Sequence, residues 1–242
     1  MKYSNRHLIE VNCGFQFLEE TTPWDSTFFG QYYEKIKESG FKHREERKGV
    51  QITFNPLNIE QKNSPITTSQ IEDQVIFRNN EKGLAVVLGK GKISFHTVQG
   101  YAGWESFLND FIKPYYEFYR ELGLGNGKRQ CSVVYLNRFT KNTSDNLSDY
   151  LTIISPLKKD FGIEVVSTIQ RVVSNKDNLL IAKLNSQVVN NTQVIINLEC
   201  GAVCVNEGCM NSDDWEKQAN STHAPILEFF ENIITDNLRK EL

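Results

Sequence analysis

Two readable patterns open the chain. Over 7–18, HLIEVNCGFQFL, apolar and polar positions alternate in a stretch rich in β-formers, which predicts a strand. TTPWDSTFFGQYYEKIKESG then carries Phe28, Phe29, Tyr32, Tyr33 and Ile36 at helical spacing behind an Asp25 or Ser26 cap, and Gly40 supplies a stop. A short strand is expected at 49–54, and the polar, proline-containing stretch 55–74 predicts a loop. Strands at 74–78, 83–88 and 92–98, joined by NNEK and GKG, read as an antiparallel meander. From Gly103 the period becomes helical. Trp104, Phe107, Leu108, Phe111, Tyr115, Phe118, Tyr119 and Leu122 share one stripe, and Pro114 inside it predicts a kink or a break.

The second half repeats this order: a strand at 131–139, a short helix at 146–155, strands at 162–174, 178–189 and 193–204, and a closing helical stretch from Asp213. Both halves can be written β-α-β-β-β-α, with one extra strand in the first. The expected fold is therefore α+β, with antiparallel sheets side by side and helices packed on one face, as a tandem pseudo-duplication. Its halves would be 1–130 and 131–242, either separate or fused into one compact domain.

Composition narrows the function. The 242 residues, 39% hydrophobic and 11% aromatic, suit a globular fold rather than a disordered or fibrous one. Net charge is −3, and the halves carry 17 basic against 16 acidic and 10 against 14 residues, +1 and −4. Neither is a polycation, which disfavours nucleic acid as a partner. The N-terminus has no signal-peptide core and no apolar run is long enough to span a bilayer, so no membrane association is expected. Five cysteines, an odd count, point to a reducing cytoplasm.

Candidate chemistry is sparse. GKGKIS resembles a phosphate loop only superficially, because KISFHTV after it alternates as a strand does; it predicts a hairpin turn. His96 shares a face with Ser94 and Val98, and a role as base or ligand would need partners. CGAVCVNEGC places Cys200, Cys204 and Cys209 ahead of His223. Cys200 and Cys204 have the same strand parity, which favours packing, and no metal site is expected there. HREERK at 43–48 predicts a solvated turn. The aromatic run at 101–119 predicts core, with Tyr116 and Tyr119 as the positions a partner surface would use. Arg138, at the end of YLNRF, is expected to tie layers together through a carboxylate. An anionic ligand would meet Lys90, Lys92, His96, Asn137 and Arg138.

HLIEVNCGFQF, GWESFLNDFIKPYYEFY, VVYLNRF and APILEFFENIITDNLRKEL together resemble a sporadically distributed family of uncharacterised bacterial and archaeal proteins. The resemblance spans nearly the whole chain. It implies a stand-alone prokaryotic cytoplasmic protein and, from the patchy distribution, mobile-element or defence gene neighbourhoods. It brings no activity, cofactor or catalytic residue.

The chain is accordingly expected to be a non-catalytic binding or assembly module without a cofactor, working through a protein partner or self-association as a homodimer. The alternatives are a small-molecule or nucleotide binder using the cleft between the halves, and a hydrolase built on separated carboxylates and His96.

Overall fold

A computed structural model describes residues 7–19, 22–54, 66–154 and 169–242. Among the described residues nine antiparallel strands make one sheet in the order β2-β3-β4-β5-β1-β6-β9-β8-β7. They are β1 (Leu8–Phe17), β2 (His43–Phe54), β3 (Ile66–Asn79), β4 (Leu84–Gly89), β5 (Lys92–Thr97), β6 (Arg129–Asn142), β7 (Ile169–Ser174), β8 (Asn178–Asn190) and β9 (Gln193–Cys204). The expected pair of sheets is a single one, because β1 hydrogen-bonds along its length to the Arg129–Asn137 part of β6, Val11 opposite Tyr135 and Phe15 opposite Cys131. A central strand left unpaired would carry a row of unmet backbone groups, so the two halves close on each other.

Two departures from expectation lie in β2 and β3. HREERK is the first part of β2, with His43 opposite Arg78 and Glu46 opposite Val75. Residues 43–47 are exposed on both faces, so this outer strand lacks the apolar alternation that marks a buried one. Residues 66–74, expected in a loop, belong to β3; the rest of that loop, 55–65, lies outside the described residues, as do 162–168 of the next expected strand. The short helix expected at 146–155 is a single turn of 3-10 helix, Leu147–Asp149, capped by the Asn146 side chain.

The helices pack on one face. α1 (Thr27–Ile36) is followed by a 3-10 turn to Ser39, and Gly40, at φ 94°, ends it as expected. α2 runs through Trp104–Ser106, a π-helical stretch Phe107–Ile112, and Lys113–Glu121. The helix survives Pro114: the wider π turn just before it accommodates a residue that offers no amide and crowds the turn behind. The closing stretch is divided into α3 (Glu207–Met210), α4 (Trp215–His223), α5 (Ile226–Ile233) and α6 (Asp236–Glu241), with Pro225 between α4 and α5.

Odd positions of β1, β5 and β6 face these helices. Phe15 meets Tyr116 at 4.9 Å and the edge of Trp215 at 5.9 Å, and Phe95 meets Phe111 at 5.7 Å. Tyr116 and Tyr119 are fully buried, so they are core and offer no partner surface. Among the described residues no helix is long and apolar enough to cross a membrane.

Candidate functional site

Even positions of β1, β5 and β6 form the opposite face, against which no described helix packs. Row by row, Ser94 stands opposite Gly14 and Gly14 opposite Ser132; His96 stands opposite Asn12 and Asn12 opposite Val134. One row on, Glu10 is opposite Leu136 and Leu136 opposite Glu199. A bulge at Ile9 shifts the β1 register here, since Leu8 faces Asn137 while Glu10 faces Leu136. Bulges re-aim side chains, and this one turns Leu8 to the helix face, while Glu10 keeps the parity of Asn12 and Gly14 on the opposite one.

The result is a hydrogen-bonded chain of three side chains. Ser94 Oγ lies 2.8 Å from His96 Nε2, and His96 Nδ1 lies 2.7 Å from Glu10 Oε1. The hydrogen bond from His96 is the largest influence holding the Glu10 carboxyl below its ordinary range. Burial opposes it, and the charge of His96, a hydrogen bond from Asn12 and the Arg78 guanidinium reinforce it. An ionised carboxylate only accepts, so Nδ1–H donates to Glu10, and in the neutral ring Nε2 is then the nitrogen whose lone pair accepts from the Ser94 hydroxyl. Ser94, His96 and Glu10 thus have the connectivity of nucleophile, base and orienting acid. The strand amides around Ser94 are committed to the ladders with β1 and β4, so any developing negative charge must be met by side chains.

Glycine shapes the space beside Ser94. A methyl group on Gly14 would stand 3.2 Å from Ser132 Oγ and 3.3 Å from Ser94 Cβ. With only hydrogen on Cα, the two serine side chains approach each other across Gly14 more closely than a methyl group would allow.

The residues expected to bind an anion are dispersed. Lys90 lies in the turn between β4 and β5, where Gly91 takes φ 61°, as the hairpin reading requires. Lys92 is on the uncovered face, but its stem crosses Gly89, where a methyl group would come within 2.7 Å of Cε. Asn137 has the parity of the helix face. Arg138 is exposed on the uncovered face and donates from Nε to Asn197 Oδ1 at 2.9 Å, an amide partner rather than the expected carboxylate. Of the five, His96 alone belongs to the relay. Glu10 was not anticipated, although its parity with Asn12, Gly14 and Gln16 was open to reading.

Cys200 and Cys204 are buried on the helix face of β9, and Cys209 Sγ in α3 lies 3.7 Å from Ser221 Oγ. Among the described residues no group of three or more His, Cys, Asp or Glu side chains is gathered to hold a metal ion. His223 instead stacks on Trp104, with ring centres 4.2 Å apart and planes 4° from parallel, and burial lowers its pKa to about 4. Beside it the hydroxyls of Tyr101 and Tyr135 are 2.6 Å apart, and burial pushes the Tyr101 phenol up to about 12.

Comparison of the chain with protein-family models, curated proteins and solved structures finds no match.

Proposed function

We propose that the protein is a binding module that receives a small ligand on the uncovered sheet face, at the seam between its halves. The observation that carries this is the division of that face. On the β5–β1 side stand Ser94, His96, Asn12 and Glu10, with Arg78 two strands away. On the β6–β9–β8 side two of these rows continue as Val134 and Ile181 flanking Gly201 and, past Ser132, as Val203 and Leu179, while the Glu10 row runs through Leu136 to Glu199 and Lys183 and bounds the apolar patch. Such a surface suits a ligand with a hydrogen-bonding end and an apolar body.

The seam reading rests on strand order. The first half supplies β2-β3-β4-β5-β1 and the second, counted from its own outer edge, β7-β8-β9-β6. In each, the first strand of the half lies innermost, beside the last strand of a meander, which is what a pseudo-duplication about the β1–β6 seam would produce. A cytoplasmic setting agrees with the five free thiols.

The test is an amide-resolved NMR titration with alkyl esters, fatty acids, nucleotides and inorganic phosphate at millimolar concentration. Esters or fatty acids should move the signals of residues 94–96, 134–136 and 181, and Val134→Lys should weaken that response. Perturbation confined to the helix face, or none from any class, overturns the reading.

Self-association has one observation in its favour. Val172 and Val173, on the two faces of the outer strand β7, are 51% and 39% exposed. Light scattering decides it, and a strict monomer at micromolar concentration removes it.

A further inference from the structure

We infer that Ser94 is an activated nucleophile that takes the acyl group of carboxylic esters bearing a good leaving group. The inference rests on the uncovered face being the ligand-binding surface and adds chemistry to it.

Three observations converge. The hydroxyl is 2.8 Å from a ring nitrogen that can accept its proton in the neutral imidazole, and the other ring nitrogen lies 2.7 Å from a carboxylate. Glu10 also accepts from Asn12, so the carboxylate that meets Nδ1 is itself held in place, and the contact favours the tautomer with the proton on Nδ1. Across Gly14 from Ser94, on the same face, stands Ser132, whose hydroxyl is able to donate to the carbonyl oxygen of a substrate seated above the strand. Ser94 and His96 are the catalytic residues in this scheme; Glu10 and Asn12 are positioning residues.

The step balances without any co-reactant but water. Ser94 Oγ bonds to the ester carbonyl carbon while its proton passes to His96 Nε2. The bond from that carbon to the leaving oxygen, or to sulfur in a thioester, then breaks, and the departing phenoxide or thiolate takes that proton. Water next attacks the acyl-serine, giving its proton to His96, which returns it to Ser94 as the carboxylic acid leaves.

The substrate class follows from what surrounds the oxygen. Enzymes that cleave amides present two or more preorganised donors to the oxyanion, and losing one costs roughly 100- to 1,000-fold in rate. Here the strand amides are engaged and Ser132 supplies one hydroxyl. Aryl esters and thioesters, whose leaving groups depart readily, are therefore within reach, and amides are not. The row from Val134 to Ile181 would accommodate an acyl chain.

The experiment treats the full chain with a fluorophosphonate, in which Ser94 Oγ would bond to phosphorus as fluoride leaves, and locates the adduct by mass spectrometry. Hydrolysis of p-nitrophenyl butyrate is followed in parallel. Ser94 should be labelled ahead of all other serines, with a burst of p-nitrophenol followed by slow turnover. Ser94→Ala should abolish both signals, and His96→Gln should lower the labelling rate by about 100-fold or more. Glu10→Gln should lower it about 10- to 100-fold and, unlike a merely structural change, disturb the Nδ1–H signature of His96 in nitrogen-15 spectra. Far-UV circular dichroism confirms that each variant is folded. Ester-induced NMR shifts on the uncovered face without labelling of Ser94 overturn the nucleophile and leave the binding surface standing. Absence of both overturns the two together.

Discussion

His96 stands directly opposite Asn12, yet its Nδ1 reaches diagonally to Glu10, one step along the same face of β1, at 2.7 Å. The diagonal is within ordinary cross-strand reach for a long carboxylate and a ring. Because the contact holds Glu10 ionised below its ordinary range, the folded state binds fewer protons than the unfolded chain in acid. The contribution is fully present above the unfolded carboxylate pKa, near 4.5, and fades as pH falls through the lower folded value. Urea denaturation should show Glu10→Gln destabilised at neutral pH, with the gap to wild type closing in acid below about pH 4.

His223 supplies a second acid-sensitive term in a different window. Burial lowers its pKa from 6.5 to about 4, so the unfolded chain takes up its proton first and stability falls as pH drops through that interval. The loss is up to about 3 kcal/mol, less in proportion to the ring's contact with solvent. His223→Phe, which can keep a ring against Trp104, should flatten the stability profile between about pH 4 and 6.5. An unchanged slope would mean that this imidazole does not titrate between folded and unfolded states.

Lys141 is buried, ion-paired with Glu241 of α6, and its Nζ sits 3.7 Å from the Tyr150 ring centre. Removing the carboxylate strands a buried cation. Glu241→Ala should therefore cost about 1–3 kcal/mol by thermal or chemical denaturation, and Lys141→Met, which removes the charge with its partner's task, should cost less.

Two glycine-to-alanine changes should move in opposite directions. At Gly201 in β9 the new methyl group would stand 2.8 Å from the Val133 carbonyl oxygen and 2.9 Å from Val134 Cγ2, a backbone clash worth about 1–3 kcal/mol of destabilisation. At Gly30 in α1 nothing lies within 4 Å, and alanine should stabilise by about 0.5–1 kcal/mol. Paired melting curves check both.

Thiol chemistry should be selective. Burial raises the pKa of the Cys13 and Cys200 thiols and that of Cys204 to about 11, and Cys209 is the partly exposed member of the five. A thiol reagent under native conditions should modify Cys209 first and leave Cys13, Cys131 and Cys200 untouched until unfolding.

The local periodicities were legible. The alternation of Val11, Cys13, Phe15 and Phe17 marks the buried face of β1, and β9 spans the residues its apolar pattern predicts. HREERK misled because a strand solvated on both faces has no apolar period to read. At Pro114 the expected kink or break corresponds to a change from π-helix to α-helix at Ile112–Lys113, and the π geometry itself leaves no trace in composition. The relay was half visible: Ser94 and His96 share parity within one strand, but their acid partner lies 86 residues away in sequence. Only the adjacency of β1 and β5 reveals it, and strand order is set by the whole sheet rather than by any window of sequence.

The β1–β6 pairing also has a temporal meaning. β1 ends at Phe17 and its partner begins at Arg129, so at ordinary translation speeds roughly ten seconds separate their emergence from the ribosome. For that interval the strand destined for the middle of the sheet is instead a bare margin carrying Val11, Cys13 and Phe15. The nascent polypeptide is therefore most vulnerable to aberrant pairing at the very segment that later becomes its best protected.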